Sequence, residues 1–338
     1  MPDPPNPSID PVQARAVVDR GDASLRLEPV TLRALEPGEV RVRHTLSCVS
    51  PGTELRVHDQ HRGDPAPTVP GYARVGQVEA VHGDAPLQPG DRVIVTKSLD
   101  YGGLTAHWGA HISHSICTSA TVLRVPDTVS DRDAVLARLS AIPFHGWRLI
   151  DPQPGTTVAI VGLGAIGMPA AKFFADSGCP MLALDRSAQR VEAARAWGID
   201  AEVGNGPIGD QVKRRMPEGV DVLVDATGVP AVAAGAGLAI RMPAWHEPNA
   251  RPVRYLVQGS YADTLPLPYQ DLFMREAHVI FSRDWEPQDL RLLLERMADG
   301  GLSFDPLPTH NLSPDDADQA YDLLRKAQTP LTVIFDWE

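Results

Sequence analysis

The sequence predicts an α/β chain in which a β-rich first third precedes a doubly wound parallel sheet. Three observations predict it. Short alternating or β-branched runs, parted by Gly and Pro turns, fill the first third. A glycine-patterned turn then joins a buried strand to a helix near residue 162, and strands alternate with helices from there to about residue 284. The turn carries the most information. Thr157 to Val161 are β-branched or small and apolar, as a strand covered on both faces requires. Gly162, Gly164 and Gly167 follow in the spacing G-x-G-x-x-G, with Ala165 and Ile166 between the last two. Gly162 permits the tight turn, Gly164 lets the backbone approach a pyrophosphate, and Gly167 lets the helix pack on the strand. A helix over Met168–Asp176 would aim its free N–H groups and positive dipole end at that pyrophosphate. The next apolar run, Pro180–Asp185, ends in a carboxylate 18 residues past Gly167, where an acid bonds the adenosine ribose hydroxyls. Strand, turn, helix and acid together point to a bound dinucleotide.

A chain of 338 residues accommodates two domains, each with its own core. The net charge of −12 argues against nucleic acid or an anionic membrane as partner, because both need a basic face. Cys48, Cys117 and Cys179 are widely spaced and form no C-x-x-C pair, so neither a disulfide framework nor a cysteine-rich structural zinc site is expected. Met1–Pro7 has neither the basic nor the apolar region of a signal peptide, and no run reaches the roughly 18 apolar residues of a membrane span. The expectation is a cytoplasmic protein in a reducing compartment.

Strands are expected over 14–18, 24–28, 39–46, 73–81 and 91–96, with turns at Glu36-Pro37-Gly38 and Gln88-Pro89-Gly90-Asp91. A helix should start near Ser130, with Asp131 or Asp133 in its first turn, and run to Leu149. Six strands of a doubly wound sheet follow at 157–161, 181–184, 200–203, 220–225, 253–258 and 278–282, with a polar, Pro-rich loop over Arg241–Pro252. Helices over 286–298 and 314–327 lead to a last strand, Leu331–Asp336. That strand has no easy place in the nucleotide sheet, so the division expected is 1–146 with 285–338, and 147–284.

This organisation resembles the medium-chain dehydrogenase/reductase family over nearly the whole chain, which implies a GroES-like catalytic domain and a Rossmann domain. Ser47-Cys48-Val49-Ser50-Pro51-Gly52-Thr53-Glu54 is similar to the family's first active-site loop, in its S-G-I-S-x-G-T-E variant. Val69–Gly76 resembles the P-G-H-E-x-x-G segment, and Gln88–Val93 the P-G-D-R-V turn. Val224–Gly228 resembles the D-x-x-G strand end, which places Thr227 and Gly228 at the nicotinamide ribose. Gly259 and Ser260 stand where family members contact the carboxamide. Zinc-dependent members place Cys, His, Glu and a further Cys or Glu at positions held here by Ser50, Tyr72, Ala73 and Ala137 or Arg138. A catalytic zinc needs about three N, S or O ligands, so no metal is expected. The loop and the Val-Pro-Gly-Tyr segment look most like the bacteriochlorophyllide dehydrogenase branch, which also has a histidine near the position of His145.

Without zinc, hydroxyl and imidazole groups must polarise a carbonyl oxygen for hydride transfer. Ser50, Thr53, Tyr72 and His145 are the candidates. Thr53 lies where a family hydroxyl relays protons, Tyr72 takes a metal ligand's position, and His145 is of the residue type suited to a general acid. Each has a structural alternative: a turn threonine, a packed tyrosine, a core histidine. Tyr101, His107 and Trp108, on a Gly-rich loop, suit a planar substrate or simple packing. The expected function is a zinc-independent oxidoreductase interconverting a secondary alcohol and a ketone. NAD is expected over NADP, because a 2′-phosphate would oppose Asp185, although Arg186 beside it favours such a phosphate. A quinone or enoyl reductase, or a non-catalytic NAD sensor, is the rival. The apolar sixth strand, His278–Ser282, is expected to pair across a homodimer axis.

Overall fold

The computed structural model describes residues 9–244, 252–261, 264–326 and 329–338. The sequence readings on Met1–Pro7, on residues 245–251 of the Pro-rich loop and on the last residue of helix 314–327 lie outside the described residues. Two compact units form. One runs from the N-terminal segment to Leu139 and resumes over Leu290–Glu338; the other is Ser140–Asp289. These divisions fall inside the helices Asp131–Ile150 and Pro287–Ala298 rather than at 146/147 and 284/285. A helix continuous through a boundary leaves no break in its apolar pattern for the sequence to mark.

The Ser140–Asp289 unit carries six strands: Val158–Val161, Met181–Asp185, Ala201–Val203, Val222–Asp225, Arg254–Val257 and His278–Phe281. Counted along the chain they lie in the order 3-2-1-4-5-6, all neighbouring pairs parallel. Parallel strands covered on both faces read as unbroken apolar runs. Val158–Val161 and Val222–Asp225 are indeed buried at every residue. Leu182, Leu223 and Tyr255 sit in one core with Val212 and Ala236 of the crossing helices, each large side chain contributing about 1.5–3 kcal/mol by burial. The order reverses between Val158–Val161 and Val222–Asp225, and the crevice at such a switch point is where this architecture takes ligands.

In the other unit, a four-stranded sheet starts with the hairpin Val12–Asp19 and Leu25–Leu32. A seven-stranded sheet is built around the long strand Glu39–Cys48. The terminal strand Thr332–Asp336 pairs antiparallel with this strand, Ile334 opposite Cys48, and parallel with Thr309–Leu312 on its other side. The segment after Cys48 departs from the loop read there: Pro51–His61 is an α-helix. Its start has a physical cause. Pro51 supplies a fixed φ where the first helical N–H lacks a partner anyway, and the Glu54 carboxylate reaches back to accept from the Ser50 N–H at 2.6 Å.

Candidate functional site

The glycine turn is dictated by contact distances. Gly162 has φ +93°, and a Cβ on Gly167 would lie 1.8 Å from the Gly162 carbonyl oxygen, so no side chain fits at the start of helix Gly167–Asp176. Ile166 caps that helix and Ala165 completes the turn before it. Around the turn lies a cavity of about 780 Å³, lined by Gly162, Gly164, Asp185, Arg186, Arg190 and Thr227 among others. Asp185 ends its strand with both carboxylate oxygens engaged: one accepts from the Leu163 N–H at 2.7 Å, the other from the Ser187 N–H at 2.8 Å. The acid thereby ties the end of its own strand to the phosphate turn. Arg190 lies 3.7 Å from the same carboxylate.

Across the cavity, Asp225 anchors the wall that carries Thr227 and Gly228. This fully buried carboxylate accepts from the Thr227 N–H at 2.8 Å, the Thr227 hydroxyl at 2.6 Å, the Tyr255 hydroxyl at 2.9 Å and the Tyr261 hydroxyl. Burial, reinforced by the Asp225 charge, pushes both phenols well above their ordinary value, so they remain donors. The Thr227–Gly228 and Gly259–Ser260 turns are packed backbone to backbone: a Cβ on Gly259 would lie 2.2 Å from the Gly228 nitrogen. The structure therefore brings together two segments more than thirty residues apart that the sequence placed at one ligand. Arg190 and Tyr255 were missed, and Asp225 and Tyr261 stood in the matched segments without a role of their own. Arg190 has a sequence signal, lying in the first turn of the helix after Asp185; the tyrosines have none.

In the first unit, Ser50 and Thr53 are set by the end of strand Glu39–Cys48 and the helix after it, and Tyr72 immediately precedes strand Ala73–Val81, whose Ala73 pairs with Cys48. Ser50 is buried at the helix N-cap, and Thr53 is half-buried in the first turn. Glu54 faces inward, with its second oxygen accepting from the Tyr321 hydroxyl at 2.6 Å and 3.1 Å from His111 Nε2. His111 Nδ1 is 2.8 Å from the Ser47 hydroxyl, which also accepts from the Trp337 indole at 3.0 Å. Tyr72 is buried, its ring 6.0 Å from that of Trp108 and 4.3 Å from the Arg138 guanidinium carbon.

His145 is half-buried in the other unit, its Nδ1 3.0 Å from Asp289 Oδ2, and Asp289 also pairs with Arg148 and accepts from the Glu286 N–H. A core histidine held by backbone is not what forms; a carboxylate holds it. Among the described residues, His145, Glu286 and Asp289 are the one group of three metal-capable side chains close enough to share an ion. Arg148 already neutralises Asp289 there, which makes an ion-pair cluster the fitting description. The positions that the resemblance matches to the family's zinc ligands hold Ser50, Tyr72, Ala73 and Ala137 or Arg138, a set with few of the N, S or O donors that zinc takes. Cys48 adjoins them, fully buried, its thiol pushed up to about 12 by burial.

A doubly wound sheet with this glycine turn, an acid at the end of its second strand and a β-rich companion unit is the architecture of an NAD(P)-dependent oxidoreductase. No family profile matches the sequence. Over 96% of its length, covering 99% of the relative, the chain is 26% identical to 2-desacetyl-2-hydroxyethyl bacteriochlorophyllide A dehydrogenase of Cereibacter sphaeroides. It is 25% identical to an alcohol dehydrogenase of Geobacillus stearothermophilus over 84% of this chain and 89% of that one. Its fold is similar to 2R,3R-butanediol dehydrogenase from Bacillus subtilis, with TM-score 0.82 and 20% identity over 96% and 99% of the two chains. Over nearly its whole length the chain is thus similar to dehydrogenases of the medium-chain dehydrogenase/reductase type.

Proposed function

We propose that the chain is a zinc-independent, NAD(H)-dependent oxidoreductase that interconverts a secondary alcohol and a ketone on a small or medium metabolite, with or without a ring. The observation that carries the reading is the cavity lined by Gly162, Gly164, Asp185 and Thr227. Bound nicotinamide supplies the hydride. In the reductive direction a C–H bond forms at the carbonyl carbon, the C=O π pair moves onto oxygen, and that oxygen takes a proton. Tyr72 is the group we assign to give it, with the Thr53 and Ser50 hydroxyls as further polarising donors. Such donors stabilise charge as it develops on oxygen. His145, restrained by Asp289, is assigned as an acid–base group.

Support for NAD comes from Asp185, whose carboxylate would repel a 2′-phosphate at short range. Arg186 and Arg190 line the same end and oppose that preference. NADH is expected to bind more tightly than NADPH in titrations of cofactor fluorescence; the reverse order would count against Asp185 as the selector. Ketone reduction is expected to survive exhaustive dialysis against chelator, since the family's ligand positions offer no zinc donor set. Stoichiometric zinc by elemental analysis, with turnover lost on its removal, would overturn the metal-free reading. Turnover of activated C=C acceptors but not ketones would favour the enoyl-reductase alternative.

The partner proposed is a second copy of the chain. Strand His278–Phe281 is the last of its sheet, and Phe281 is 62% exposed. An apolar edge of this kind is normally paired or covered. Light scattering at micromolar concentration is expected to give the dimer mass, and a monomer mass would refute it. We assign the protein to the cytoplasm.

A further inference from the structure

We infer that Arg138 acts through the Tyr72 ring, supplying positive charge at the positions where the metal ligands of relatives have been replaced, as a positioning residue for proton transfer. The inference rests on the proposed role of Tyr72 as the hydroxyl that protonates the substrate oxygen.

Arg138 lies on helix Asp131–Ile150 and is 5% exposed. A guanidinium stays protonated at any working pH, and taking one out of water is costly unless its surroundings repay the cost. Part of the repayment is visible. The guanidinium carbon is 4.3 Å from the centroid of the Tyr72 ring, itself buried, and a cation on an aromatic face is held more strongly when desolvated. Trp108 touches the same ring from a backbone held at φ +63°, a conformation that bulky residues rarely adopt. The Gly109 carbonyl, next along, accepts from the buried Arg74 guanidinium. Tyr72 is thus held by groups from two other segments, and the fixed charge on its ring is a cation. His107 stands one ring further away, beyond Trp108.

The charge matters most after the proton has moved. The Tyr72 O–H bond breaks, an O–H bond forms on the substrate oxygen, and the electron pair stays on the phenolate, spread over the ring. A cation at this distance in a water-poor setting attracts the phenolate far more than the neutral phenol. Only an interaction stronger along the reaction than in the ground state accelerates it. Arg138 meets that condition, whereas an apolar residue packed on the same ring would not.

The test has two readouts. With carbon-13 at Cζ of tyrosine, and the Tyr72 resonance assigned by its absence in Tyr72→Phe, the phenol is titrated by NMR. Arg138→Gln is expected to raise its midpoint by about one pH unit or more, a tenfold change in ionisation, and Arg138→Lys to restore most of it. Arg138→Met, of similar length and no charge, serves if the glutamine variant does not fold. An unchanged midpoint in a folded neutral variant overturns the inference. The second readout is a double-mutant cycle on acetophenone reduction by NADH. Arg138→Gln is expected to lower kcat at least about tenfold with Tyr72 present and to cost little more in Tyr72→Phe. Additive losses would make Arg138 a packing residue and overturn the inference. Acetophenone left untouched by every variant, with the NMR shift intact, would count against the proposed reaction and leave the Arg138–Tyr72 coupling established.

Discussion

Tyr72→Phe is expected to lower ketone turnover by about 10²–10³-fold, the usual cost of one oxyanion donor, while leaving NADH affinity nearly intact. Thr53→Ala should fall in the same direction. The split between turnover and cofactor affinity follows from the fold. The dinucleotide cavity is lined entirely by residues of the Ser140–Asp289 unit, and Tyr72 and Thr53 belong to the other. Removing the phenol oxygen leaves the ring in contact with Arg138 and Trp108, so the substitution costs little packing. A structural tyrosine would behave differently: melting temperature would fall and the surviving folded enzyme would turn over near the normal rate. Measuring both quantities on the same purified variants separates the two outcomes. Near-normal turnover in both variants would remove Tyr72 and Thr53 from the polarising role.

The parts of this protein that its sequence announces are those whose signals are local. The six parallel strands were legible to within a residue or two because a strand covered on both faces must be apolar throughout, as Val158–Val161 and Val222–Leu223-Val224 are. Gly162, Gly164, Gly167 and Asp185 were legible for a similar reason: a steric demand and a strand end fix them within one strand–helix–strand unit. The helix Pro51–His61 was not, because the residues it buries include Glu54, His58 and His61, which mimic the polarity of a loop. Its start was nonetheless written in Ser50-Pro51 and in Glu54. Nothing local announces that Glu54 meets Tyr321, which is 267 residues away, or that Tyr261 and Tyr255 converge on Asp225. Those partnerships are properties of the folded topology. They concern buried charges, whose partners the chain can recruit from any distance.

Glu54→Ala is the substitution expected to cost the most stability, about 3–5 kcal/mol, the range for breaking a buried charged pairing from one side. Its carboxylate is almost fully buried and serves three partners: the Ser50 N–H that opens the helix, the Tyr321 hydroxyl and His111. Ionised, Glu54 can only accept, so the His111 Nε2 beside it donates; in a neutral ring Nδ1 then accepts from the Ser47 hydroxyl at 2.8 Å. Tyr321 remains a donor throughout, because burial and then the Glu54 charge push its phenol well above the ordinary value. Deleting the acid orphans donors on both discontinuous segments of the unit, since Tyr321 lies beyond residue 290 and Ser50 and His111 before residue 139. Glu54→Gln offers no full remedy: its amide keeps one acceptor but turns an NH₂ toward a donor. Tyr321→Phe should cost less, because the carboxylate keeps its other two partners. The double variant should lose less than the sum of the single losses, as residues in one network do. Urea unfolding of the four proteins at neutral pH provides the numbers. A loss below about 1 kcal/mol for Glu54→Ala, the level of an exposed pair, would show that this buried acid does not hold the two segments together.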